Sequence, residues 1–126
     1  MPPQGSGTAK AARDVLAQYG VTPENTRFTH LPIAEATLAL QRGEHDAGFF
    51  MLAPANAMIS RLAGDENLRL FSFSESVGLS RKLDYLKPAV LARGAFDLRS
   101  VRPPQDVGLV GATVNVVVHQ DIHPAV

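Results

Sequence analysis

Apolar positions recur at helical spacing over residues 8–19, where Ala11, Ala12, Val15, Leu16 and Tyr19 share one stripe and Lys10, Arg13 and Asp14 fall off it. Gly20 stands where a helix turns into the left-handed region, and Pro23 confirms the stop. Residues 26–30 read as a short strand. Pro32 then sits where a first helical residue tolerates proline, and Ile33, Ala36, Thr37 and Leu40 keep helical spacing up to Gly43. Residues 47–52, AGFFML, form a continuous apolar run too brief for a stable helix, flanked by Asp46 and Pro54. That run predicts a strand buried on both faces, with Phe49, Phe50 and Met51 in the core. Pro54 opens a third helix, with Ala55, Met58, Ile59 and Leu62 inward and Gly64 at its end. Residues 68–73 predict another strand, 76–83 a short helix and 86–91 an extended segment. Past Gly94 the pattern loosens, because Pro103 and Pro104 break any helix. Residues 107–118, a β-branched run interrupted by Gly111, read as a long strand.

Strands and helices alternating at this length imply right-handed βαβ crossovers. The expected fold class is α/β, with a parallel or mixed sheet and helices on both faces. A chain of 126 residues makes one domain of ordinary size. Residues 1–126 therefore form a single α/β lobe, with a loop and a strand over 94–126.

Composition narrows the chemistry. At 45% apolar, 19% charged and 6% aromatic residues, the chain can fill a packed core. Twelve Lys and Arg against 12 Asp and Glu give a net charge of zero, so no basic excess exists to neutralise phosphates, and nucleic acid is not an expected partner. No apolar run approaches the roughly 18 residues of a membrane span, and residues 1–8 lack the basic and apolar segments of a secretory signal. The absence of cysteine removes thiolate metal sites, cysteine nucleophiles, Fe–S clusters and disulfides.

The most suggestive local feature is Gly5-Ser6-Gly7-Thr8, directly before the first amphipathic helix. Free backbone N–H groups, the helix dipole and two hydroxyls converge there on one anion-sized spot. Gly5 and Gly7 let a ligand approach the main chain, and Ser6 and Thr8 can donate hydrogen bonds. The same four residues also make an ordinary helix cap. They form neither a phosphate-binding Walker loop nor a dinucleotide fingerprint. In open α/β sheets ligands gather beyond the carboxyl ends of strands, which points to Met51, Leu52, Ala53 and Pro54 at the end of the AGFFML run and to Ser74 after the next strand, with Asn56 the polar side chain on the turn that follows the run. His119 and His123 stand four apart with Asp121 between them, but Pro124 follows at once and no third ligand is evident. Asp121 reads better as a helix cap, and neither a metal nor any other cofactor is expected. His30 and His45 read as surface residues. No G-x-S-x-G elbow or defensible carboxylate pair is present, so no catalytic residue is assigned.

Four segments carry a resemblance: QGSGTAKAARDVLAQYGV, EATLALQRGEHDAGFF, LRLFSFSE and LARGAFDLRSVRPPQDVGLVGATVNVVVHQDIHPAV. In this order the chain resembles the TAXI-type solute receptors of TRAP transporters, a branch of the type II periplasmic binding protein superfamily, across nearly its whole length. The last segment is most similar to membrane-anchored proteobacterial members. The resemblance implies a periplasmic or otherwise extracytoplasmic receptor whose two α/β lobes close on a small carboxylate, such as an amino acid or dicarboxylate, and deliver it to a membrane permease. On size it further implies a fragment comprising the second lobe, with the hinge-crossing strand inside 107–118 and the first lobe as a missing partner. The ligand-binding residues are then Gly5, Ser6, Gly7, Thr8, Leu52, Ala53 and Asn56. An isolated lobe of this kind is expected to bind weakly and to be prone to self-association. Two alternatives remain open: a regulatory or interaction module that no longer binds solute, and an enzyme on the same scaffold.

Overall fold

The computed structural model describes residues 1, 5, 7–53 and 56–112. Along the chain run α1 (Gly7–Gln18), α2 (Ile33–Gln41), α3 (Ala57–Ala63), α4 (Ser76–Lys82), β1 (Leu86–Leu91) and β2 (Val107–Ala112). The α/β class holds, and helices lie in all four expected stretches. However, α3 starts at Ala57 behind its Asn56 cap rather than at Pro54, because the Asn56 side chain accepts from the Met58 N–H and sets the first turn there. Pro54 and Ala55 lie outside the described residues.

Two helices end for the reason the sequence suggests. Gly20 adopts φ +75°, its N–H donates to the Ala17 carbonyl at 3.0 Å, and the Val21 N–H reaches back to Leu16 at 3.0 Å. Gly43 repeats the device at φ +73°, with bonds to Leu40 at 3.1 Å and from Glu44 to Ala39 at 2.9 Å. Both are Schellman endings, in which glycine takes a left-handed conformation and the last carbonyls keep partners. Tyr19 lies beyond the end of α1 and is 43% exposed rather than inward. On α2 the inward residues are Ala36 and Ala39, while Ile33 is exposed.

β1 and β2 pair antiparallel, from Leu86 opposite Ala112 to Leu91 opposite Val107. Residues directly opposite share a face, so Leu86, Pro88 and Val90 lie with Ala112, Val110 and Gly108. Leu86 joins Val15 of α1 and Leu79 of α4 in the core, and Phe49, Phe73, Leu83 and Val110 pack around them. Full burial of a side chain the size of Val15 or Leu86 contributes about 1.5–3 kcal/mol. The ribbon emerges from this core along its length, since Lys87, Pro88, Ala89 and Val90 are exposed.

The expected strands at 26–30, 47–52 and 68–73 are irregular, and the sheet among the described residues is the antiparallel pair β1–β2, with no parallel ladder. Apolar content alone does not make a strand: each backbone N–H and C=O needs a neighbour in register. The 68–73 segment obtains one such contact, from the Phe73 N–H to the Gly108 carbonyl at 2.8 Å. The 47–52 run is not buried on two faces. Phe49 packs on the core and Phe50 is half-buried, but Met51 is 37% exposed and Ala47 and Gly48 are exposed. β2 occupies the first part of the long strand expected over 107–118, and residues 113–118 lie outside the described residues.

The 93–106 connection is better ordered than its prolines suggest. The Arg93 N–H donates to Asp106 Oδ1 at 2.8 Å, the Gly94 N–H to Pro103 at 2.9 Å, and Asp97 and Arg102 form an isolated antiparallel bridge. Two turns built on Asp97 and a cis Arg102–Pro103 peptide complete it.

Candidate functional site

α1 presents its N-terminus without an acidic residue in its first turn. No acidic side chain of that turn thus offsets the partial positive charge of the helix start. Gly5 is exposed at φ +88°, a conformation that calls for glycine. Gly7, also exposed, has no positive φ, and a β-carbon at either position would meet nothing within 4 Å. The fold itself therefore does not require glycine at position 7. Thr8 is half-buried on the first turn, and Ser6 lies outside the described residues.

One turn further on, Lys10 pairs with Asp14, and its Nζ stands 4.9 Å from the centre of the Tyr85 ring. Asp14 also accepts a 2.6 Å hydrogen bond from the Tyr85 hydroxyl, which ties α1 to the start of β1. The Lys10 hydrogen bond, then that of Tyr85, holds the Asp14 carboxyl below its ordinary value. Burial, and then the Asp14 hydrogen bond, push the Tyr85 hydroxyl up to about 12.

The second expected half of the site is a turn. Leu52 is half-buried and Ala53 exposed, with the Ala53 carbonyl accepting from the Asn56 N–H at 2.9 Å. Asn56 is the N-cap of α3: its Oδ1 accepts from the Met58 N–H at 2.9 Å. Among the described residues no hydrogen bond, ion pair or ring contact joins this turn to residues 5–8. Ser74 is exposed and hydrogen-bonds its neighbour Glu75 at 2.8 Å.

His30 and His45 are half-buried rather than on the surface. Among the described residues no group of three or more His, Asp or Glu is placed to hold a metal ion, and His119, Asp121 and His123 lie outside them.

Sequence reasoning missed a cleft of about 870 Å³ between residues 63–72 and 100–107, lined by Arg69, Arg102, Phe71 and Asp106 among others. Its walls are an irregular segment and a proline-rich loop, and no motif marks either.

The chain belongs to the NMT1-like family, whose model matches residues 2–124. This is a periplasmic-binding-like family of extracytoplasmic solute-binding proteins. No solved structure matches the chain. Among the described residues no helix is long and apolar enough to cross a membrane.

Proposed function

We propose that this chain is the ligand-binding lobe of an extracytoplasmic transport receptor of the TRAP type, in its TAXI branch, and that it holds a small carboxylate at the start of α1. The observation that carries the reading is a helix start with no acidic residue in its first turn, where a β-carbon on Gly5 or Gly7 would meet nothing within 4 Å. A carboxylate there accepts from the Gly7 and Thr8 N–H groups and meets the positive end of the dipole. The Thr8 hydroxyl adds a donor, and the turn at Leu52, Ala53 and Asn56 supplies the flank. Partners consistent with this role are a first lobe that closes over the ligand and a membrane permease that receives it. A half-site lacks the opposing contacts, so its affinity is weak.

The test is a titration of the isotope-labelled chain with glutamate, succinate and related carboxylates to roughly tens of millimolar, following backbone amide shifts. Saturable shifts at Gly5, Gly7, Thr8 and Asn56, lost in Thr8→Val with the rest of the spectrum unchanged, are expected. Shifts absent from those amides for every carboxylate would overturn the reading.

A further inference from the structure

The cleft beyond the other end of α3 is left unexplained by a carboxylate at α1. Asn56 caps the start of α3 and Gly64 its end, so the seven-residue helix, at about 1.5 Å per residue, separates the expected turn from the cleft by about 10 Å. A volume of about 870 Å³ falls within the range of small-molecule sites.

Arg102 spans the two walls, its Nη1 donating to the Gly64 carbonyl at 2.8 Å. Its backbone is fixed from both sides: its N–H donates to the Asp97 carbonyl at 2.9 Å, and its carbonyl accepts from Phe96 at 2.8 Å. Among the described residues no carboxylate forms an ion pair with it. The guanidinium thus stands half-buried in the cleft, bonded to the Gly64 carbonyl and near enough to Asp97 to help hold that carboxyl low, and its remaining N–H donors suit an added carboxylate.

Arg69 lines the same cleft, and so do Asp65, Glu66 and Asp106. Asp65 and Asp106 each commit one oxygen to a backbone N–H, from Asn67 at 2.9 Å and Arg93 at 2.8 Å. A ligand of one charge sign would meet repulsion from part of this lining, whereas one with an acid at one end and an ammonium at the other finds a counter-charge for each. Phe71, 65% exposed and set edge-on to Phe73 at 5.0 Å, offers an aromatic surface in the same cleft. A free amino acid fills only a small part of the volume, and a peptide of a few residues fills much more of it. The geometry points to a second ligand site in this cleft for a short zwitterionic peptide with an apolar side chain, its carboxylate on Arg102 and Arg69, its ammonium on Glu66 and its side chain on Phe71.

The probe is the tripeptide Ala-Phe-Ala, titrated into the labelled full chain beside its N-acetylated and C-amidated forms. Saturable shifts are expected at the Gly64, Leu70, Ser72 and Arg102 amides, with Thr8 unmoved. Blocking either end, or the exposed-side-chain variants Arg69→Gln and Glu66→Gln, should weaken binding about tenfold each. Circular dichroism of the variants verifies that they fold. Absent shifts, equal affinity for the blocked peptides, or shifts confined to Thr8 would overturn the second site. The carboxylate titration at α1 reads different amides, so either site can fail without the other.

Discussion

The carbonyl oxygen of Phe73 lies 2.5 Å from where a β-carbon on Gly108 would stand. The two residues are also bonded, since the Phe73 N–H donates to the Gly108 carbonyl at 2.8 Å, and the Gly108 N–H donates to Ser72 Oγ at 2.9 Å. Glycine is what lets the 68–73 segment lie directly on β2.

A methyl group at position 108 has to push backbone, not a side-chain tip. Gly108→Ala is therefore expected to lower stability by about 1–3 kcal/mol in urea melts. Gly111, on the same strand, meets nothing within 4 Å. Gly111→Ala is expected to leave stability unchanged or raise it by up to about 1 kcal/mol. Equal effects at the two positions would refute the close approach.

Asn56 separates capping from binding. Its Oδ1 satisfies the Met58 N–H, so Asn56→Ala should cost about 1 kcal/mol while Asn56→Asp, which keeps an acceptor, should cost little. If Asn56 also flanks a bound carboxylate, the aspartate variant should lose carboxylate affinity through like-charge repulsion while keeping its fold. Amide titrations of both variants beside their denaturation curves read the two effects separately.

The helices were legible because their evidence is local. The stripe through Ala11, Ala12 and Val15, and Gly20 and Gly43 in left-handed endings, depend on residues a few positions apart. β1 was read at its observed bounds of Leu86–Leu91. The strands expected at 26–30, 47–52 and 68–73 were not found, because a strand is defined by a partner that composition does not name. The AGFFML run looks doubly buried in sequence, yet in the fold Phe49 reaches the core while Met51 faces outward.

The candidate site divides the same way. The helix start at residues 5–8 carries glycines and hydroxyls in a recognisable order, and a β-carbon on Gly5 or Gly7 would meet nothing within 4 Å. Arg102 offered no such signal. Its place across the cleft depends on Gly64, 38 positions earlier, and on a loop folded back through the Asp97–Arg102 bridge.

The Asp14–Tyr85 contact makes a prediction at both ends of the pH scale. Asp14 has a depressed pKa in the fold, so its contribution is present above the unfolded carboxyl value of 3.8 and is lost as pH falls through the lower folded value. Tyr85 has a raised one, so its contribution is complete below 10.0 and disappears as pH rises from there through about 12. Both groups are largely solvated and the stability effect is small. The titration itself is the better readout. Ultraviolet absorbance should show a tyrosinate step near 12 that Tyr85→Phe removes and Asp14→Asn moves down toward 10.0. A wild-type Tyr85 titrating at its ordinary value would contradict the contact.

Gly7 and Gly43 set stability against function. Gly43 sits at φ +73°, so Gly43→Ala forces a side chain into the left-handed region and should cost about 1 kcal/mol, though nothing lies within 4 Å of the added carbon. A β-carbon on Gly7 likewise meets nothing within 4 Å, its φ is not positive, and it is the first residue of α1. Alanine is the better helix former, so Gly7→Ala is expected to raise stability by a few tenths to about 1 kcal/mol. In the proposed site the added methyl group also crowds a carboxylate at the start of α1. The same variant should therefore weaken carboxylate-induced shifts at Thr8. Higher stability with unchanged shifts would mean that the glycine serves no ligand, whereas higher stability with lost shifts is the trade expected of a position kept open for binding.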